Sequence, residues 1–213
     1  VRVVNALRTI APELPFEIRC VEIEGAEQTF SFDGFQIKAF KVSHSVLCYG
    51  YSMVIDRAGR FDKNRALEQQ IPMKFWGRLQ KGETITEEGK EYMPQMVLGA
   101  PRKGLKVTYC TDTRPTDSIA VNAADSDLLI LEGMYGEQDK LAKAKENRHM
   151  TMYEAARIAK QAEVPRLWLT HYSPSLTHPE DFLEEVRKIF PGTVASRDGQ
   201  SMELNFEEDM EKE

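Results

Sequence analysis

The chain has 213 residues, 41% of them hydrophobic, and a formal net charge of −6, enough length to bury one substantial core. No apolar run reaches the ~18 residues that suggest a membrane-spanning helix, and the opening stretch lacks a secretory pattern, which points away from membranes and towards the cytoplasm. Three cysteines, Cys20, Cys48 and Cys110, form no CxxC pair, which fits a reducing compartment better than a disulfide framework.

In chain order, residues 3–10 read as a short helix ended by Pro12. Residues 17–22, 29–32 and 35–42 alternate like paired strands, and Asp33-Gly34 is a two-residue hairpin signal. Residues 49–55 continue the strand pattern with Met53 and Ile55 on one side. From 57 to 103 the pattern turns polar, with a helical piece around 71–80 in which Phe75, Trp76 and Leu79 recur at helical spacing. This stretch is expected to project from the core as an inserted arm, and core packing accounts for its aromatic pair.

The second half alternates short apolar strands at 106–110, 127–131 and 167–169 with helices at 152–162 and 179–190, the rhythm of an α/β layered architecture. Met152, Ala155, Ala156 and Ala159 form a core-facing stripe, and Thr151 with Glu154 three residues on reads as a capping box. Residues 1–206 are read as one domain, and 207–213 as an acidic, disordered tail. That tail holds five acids and one lysine, a net of −4, so the body carries only −2. RNA therefore stays open as a partner, because local basic clusters govern phosphate binding. Two clusters qualify: Lys74, Arg78 and Lys81, and Lys140, Lys143, Lys145 and Arg148. Both also suit solvated helix faces.

Strand ends are where α/β folds place ligands. His44, Asp112 and His171 each follow a strand, and two imidazoles with a carboxylate have zinc-ligand chemistry, although a hydrogen-bonded structural role suits each histidine alone. His149 precedes the capped helix and could protonate a leaving oxygen. Glu132, at the end of an apolar strand, could orient it.

Five segments in order resemble ribonuclease Z, of the metallo-β-lactamase superfamily. They are Ser43-His44-Ser45 with Tyr49-Gly50-Tyr51; Asp112-Thr113-Arg114-Pro115; Leu131-Glu132-Gly133; His149-Met150-Thr151 with Glu154-Ala155-Ala156; and Leu169-Thr170-His171. The resemblance implies an αββα sandwich and a zinc-dependent endonuclease that trims precursor tRNA to a 3′ hydroxyl. It also implies two zinc ions with Asp112 bridging, His44 and His171 completing the shells, Glu132 and His149 handling the proton, and an arm gripping tRNA through Lys74, Arg78 and Lys81.

The family's HxHxDH segment has no counterpart, since no histidine precedes His44. The fold is accordingly expected to be incomplete at its N-terminus, the chain inactive alone, and an apolar sheet face to be covered by a missing N-terminal portion or by a second copy in a homodimer. The arm's Gly-Pro is replaced by Met73-Lys74-Phe75, and Thr111, Gly133-Met134 and Met150 also depart from the motifs. A hydrolase of small phosphodiesters or esters, or a non-catalytic interaction module, remains an alternative.

Overall fold

The structure, a computed structural model, describes residues 2–10 and 13–207. Pro12 and all of the acidic stretch beyond Glu207 lie outside the described residues. The chain opens with α1 (Arg2–Arg8). Three antiparallel strands follow, β1 (Glu27–Phe32), β2 (Phe35–Lys41) and β3 (Tyr49–Arg57). The β1–β2 turn is the expected one, because Gly34 takes φ 85° without a Cβ penalty. The alternation at 17–22 forms no strand. Val21 is 59% exposed there, and among the described residues β1, an edge strand, pairs only with β2. Alternation marks a strand only where a neighbouring backbone takes up its hydrogen bonds.

After β3 the chain leaves the sheet to build α2 (Lys63–Glu68), α3 (Met73–Gln80) and a small hairpin of β4 (Ile85–Glu87) and β5 (Lys90–Tyr92). These pieces enclose a second core of Ala66, Ile71, Phe75, Leu79, Ile85, Tyr92 and Val97, with Trp76 against Phe61 at its edge. At the stem the two crossing backbones touch, and a Cβ on Gly59 would lie 2.1 Å from the carbonyl oxygen of Gly99. Only glycine fits there.

The chain re-enters the sheet as β6 (Arg102–Cys110), antiparallel to β3. From here the strands run parallel: β7 (Leu128–Glu132), β8 (Leu167–Thr170) and β9 (Thr193–Ala195). The order across the seven-stranded sheet is β1-β2-β3-β6-β7-β8-β9. Crossovers carry α4 (Asp117–Ala123), α5 (Leu141–Glu146), α6 (Met152–Gln161) and α7 (Leu183–Ile189). A 3₁₀ turn, Pro179–Phe182, precedes α7 where one continuous helix is expected from sequence.

The main core lies between the sheet and α4, α6 and α7. The expected stripe Met152, Ala155, Ala156 and Ala159 is fully buried, opposite Leu129, Leu131, Leu167 and Leu169, also fully buried. Each such leucine contributes about 1.5–3 kcal/mol. The other sheet face is apolar too. Phe30, Ile37, Met53, Val107 and Leu128 stand side by side in register, and so do Ala39, Tyr51, Tyr109, Ile130 and Trp168. Tyr51, Met53 and Tyr109 are 40%, 39% and 45% exposed, so the middle of this face is open to solvent. Trp168 Nε1, on the same face, is buried without a hydrogen-bond partner.

Candidate functional site

The carboxyl ends of β6, β7 and β8 lie side by side, and each ends in a chemically active residue. Asp112 lies two residues past β6, Glu132 closes β7, and His171 directly follows β8. Asp112 and His171 both sit at φ 55°, a left-handed conformation that turns the chain sharply off its strand and costs a non-glycine residue about 1–3 kcal/mol. His44 arrives after β2, on a segment fixed by a bridge between Ser43 and Arg114.

Glu132 holds the site together. Its carboxylate is fully buried. Oε1 accepts from the Thr113 amide at 2.7 Å; Oε2 accepts from the Met150 amide at 3.2 Å and lies 2.9 Å from His149 Nδ1. Three segments distant in sequence thus meet on one side chain. Burial pushes this carboxyl up to about 8, against the lowering pull of the Thr113 and Met150 amides. Burial also lowers the His149 imidazole, with the neighbouring His44 and His171 adding to the effect. Both shifts favour the neutral forms of the pair.

Around this pair the imidazoles crowd together. His149 lies 5.1 Å from the His44 ring and 5.5 Å from the His171 ring, centroid to centroid. His171 Nε2 is 3.4 Å from Asp112 Oδ1, and His44 Nδ1 is 3.0 Å from the carbonyl oxygen of Arg148. Two donor sets have all their ligand atoms within 4.8 Å of one another: His44, Asp112 and His149, and Glu132, His149 and His171. His171 Nδ1 is buried with no hydrogen-bond partner. Imidazole nitrogens and carboxylate oxygens gathered within 4.8 Å of one another fit a divalent cation. Both sets include His149, to which sequence reasoning gives proton transfer rather than ligation.

The fourth histidine, His178, is exposed beside Glu180. It faces a 690 Å³ cleft that continues from His171 past Tyr172, Leu176 and Ser196. Burial pushes the Tyr172 hydroxyl up to about 12, and it donates to the Leu169 carbonyl.

The basic residues singled out from sequence lie elsewhere. Lys74 and Arg78 are on α3 of the arm, paired with Glu87 at 2.6 Å and Glu83 at 2.7 Å, and Lys81 is exposed at its end. In the second cluster, Lys143 lies over the Tyr135 ring. Sequence reasoning overlooked Thr113 and Arg114 as individual participants. Thr113 Oγ1 accepts the Ser43 amide, and Arg114 binds Glu154 and the His149 carbonyl. Their place directly after Asp112 was the available signal.

The family model of the beta-lactamase superfamily domain matches residues 87–172. A solved diphosphatase of the PhnP family aligns over 95% of this chain and 56% of its own, with a TM-score of 0.50 at 15% identity. The sheet and its helical layer are those of a metallo-β-lactamase-fold protein. Ribonuclease Z of Lachnospira eligens is 55% identical over 208 residues, covering 98% of this chain and 68% of that protein. Ribonuclease Z of Agathobacter rectalis is 56% identical over 208 residues, covering 98% and 69%. The chain belongs to the ribonuclease Z family of endoribonucleases.

Proposed function

We propose that the chain acts on precursor tRNA, hydrolysing the phosphodiester at the 3′ trailer to leave a 3′ hydroxyl, with zinc held by His44, Asp112 and His171. The observation that carries this reading is the gathering of three imidazoles and Asp112 at the ends of β6 and β8, with His171 Nδ1 buried and lacking any other partner. Zinc there would supply Lewis-acid stabilisation of the charge that develops on the phosphodiester. Holding the family's two ions would need ligands beyond these three.

His149 serves as the proton donor to the leaving oxygen. Its Nδ1 is engaged by Glu132 at 2.9 Å, which orients the ring and leaves Nε2 for proton transfer. Glu132 is itself held by two backbone amides, so the ring's orientation is fixed by the sheet. Lys74, Arg78 and Lys81 on the arm contact tRNA phosphates. The ion pairs of Lys74 and Arg78 are exposed and worth about 0–1 kcal/mol, so phosphate oxygens can replace the carboxylates at little cost.

Residues 1–206 act as one catalytic domain with 57–103 as its tRNA-binding arm, in the cytoplasm. Among the described residues no helix is long and apolar enough to cross a membrane. The open face carrying Tyr51, Met53 and Tyr109 is the surface that an N-terminal portion or a second copy covers. The test is cleavage of a precursor tRNA by zinc-loaded protein supplied with the family's HxHxDH segment: His149→Ala should lower kcat by about 10²–10⁴-fold and leave tRNA binding intact. An unchanged rate rejects the proton-donor role.

A further inference from the structure

We infer that Arg114 is the positioning residue that places the His149 imidazole, an inference that rests on reading His149 as the proton donor. Arg114 follows Asp112 by two positions, yet its side chain runs to the start of α6. Nη1 donates to the carbonyl oxygen of His149 itself and, at 3.1 Å, to Glu154 Oε2, while Nη2 donates to Glu154 Oε1. Glu154 Oε2 also accepts the Thr151 amide at 3.0 Å and lies 3.2 Å from the Thr151 hydroxyl, which in turn accepts the Glu154 amide. The capping box of α6 and the backbone of His149 are therefore held by one guanidinium.

The backbone of Arg114 works in the same direction. Its amide donates to the Ser43 carbonyl at 2.8 Å, next to His44. One residue thus ties together the segments that carry His44, Asp112 and His149. Its side chain is 17% exposed and that of Glu154 12%, so the fork's donors are spent on the protein's own groups.

His149 needs such a clamp. It follows Arg148, which sits at φ 63°, a left-handed conformation that persists only where its surroundings impose it. The His149 amide is fixed by the Ala144 carbonyl at 2.9 Å, and Arg114 fixes the other end of the residue. Without the clamp only the Glu132 contact would aim the ring, and a misplacement of ~1 Å can cost about 10²-fold in rate. A planar fork can bind a carbonyl and both carboxylate oxygens together, which a lysine ammonium cannot reproduce.

The experiment compares Arg114→Met, Arg114→Lys, His149→Ala and the Arg114→Met/His149→Ala double variant on precursor tRNA, in zinc-loaded protein supplied with the family's HxHxDH segment. Arg114→Met should lower kcat by about 10–100-fold with KM within about twofold, and Arg114→Lys should recover only a small part of the loss. The double variant should be no slower than His149→Ala, because Arg114 acts through that imidazole. The resonance of the proton shared between His149 Nδ1 and Glu132 Oε2 should be broadened or lost in Arg114→Met while core methyl signals stay in place. Multiplying losses in the double variant, a raised KM, or an Arg114→Met kcat equal to wild type overturns the inference. Should Arg114→Met fail to fold, Glu154→Gln takes its place, with a smaller kcat loss at constant KM expected and an unchanged kcat overturning the idea. Should the wild type with that segment leave precursor tRNA uncut, the substrate reading fails separately, and a resonance of the proton shared by His149 and Glu132 that persists in Arg114→Met overturns the inference by itself.

Discussion

Replacing Glu132 with glutamine sets two opposed effects against each other, and the structure gives the size of each. Glu132 is fully buried, and its two oxygens serve the Thr113 amide, the Met150 amide and His149 Nδ1. Glutamine offers one oxygen. If that oxygen keeps the Thr113 amide, the new NH₂ faces the Met150 N–H, and a buried donor left unpaired costs about 1–3 kcal/mol. Against this stands the cost of ionising a buried carboxyl. With its folded value raised to about 8 from 4.5, the folded state holds a proton that the unfolded state has lost between those two pH values. Stability of the wild type must therefore fall as pH rises through that window, by ~1.4 kcal/mol per unit and ~5 kcal/mol across it.

Glutamine never ionises and escapes that fall. In metal-free protein Glu132→Gln should therefore be less stable than wild type near pH ~5, by about 1–3 kcal/mol. For a chain of this size each kcal/mol moves Tm by about 2–4 °C. The difference should shrink with rising pH and change sign between pH ~6 and ~7, where the growing ionisation cost outweighs the lost hydrogen bond, so that by pH ~8 the variant is the more stable form. Thermal unfolding followed by circular dichroism in EDTA, at several pH values, measures this. A wild-type to variant Tm difference that stays constant with pH refutes the reasoning.

Other outcomes follow from the same geometry. Burial pushes the Glu154 carboxyl up, but the Arg114 guanidinium and the Thr151 amide outweigh it and hold it below 4.5. The unfolded chain thus takes up that proton first as pH falls, the stabilisation is present above 4.5 and lost below it, and Glu154→Gln should flatten the acid limb of a urea-unfolding pH series. A Cβ on Gly50 would lie 2.5 Å from the fully buried Phe40 ring, so Gly50→Ala should cost about 1–3 kcal/mol of overpacking in denaturant unfolding. In calorimetric titration of the metal-free 213-residue chain with zinc, we expect weak binding of about one equivalent that His171→Ala abolishes; tight uptake of two would refute the three-donor site. Replacing Lys74, Arg78 and Lys81 together by alanine should raise KM for precursor tRNA at constant kcat and reduce the salt dependence of binding.

Much of the site could be read from the chain because its residues obey local rules. Asp33-Gly34 names its own turn, Thr151 and Glu154 close a capping box within one turn of helix, and the Met152–Ala159 stripe repeats at helical period. Strand ends, where an α/β fold presents side chains, pointed to His44, Asp112, Glu132 and His171. The failures have an equally physical origin. Residues 17–22 alternate like a strand but find no backbone partner, and the helix expected over 179–190 begins instead as a 3₁₀ turn. Neither outcome is visible in side-chain pattern.

The sequence by itself determined which residue types carry the chemistry and which local turns, caps and stripes position them, since those depend on neighbours within a few residues. The tertiary structure alone decided that Glu132 would be buried where it joins the Thr113 and Met150 amides, and that Arg114 would clamp His149 and Glu154 across separations of 35 and 40 residues. It also decided which side chains, Tyr51, Met53 and Tyr109, the expected apolar sheet face leaves open. Strand order and burial set those contacts, and both arise from the packing of segments far apart in the chain.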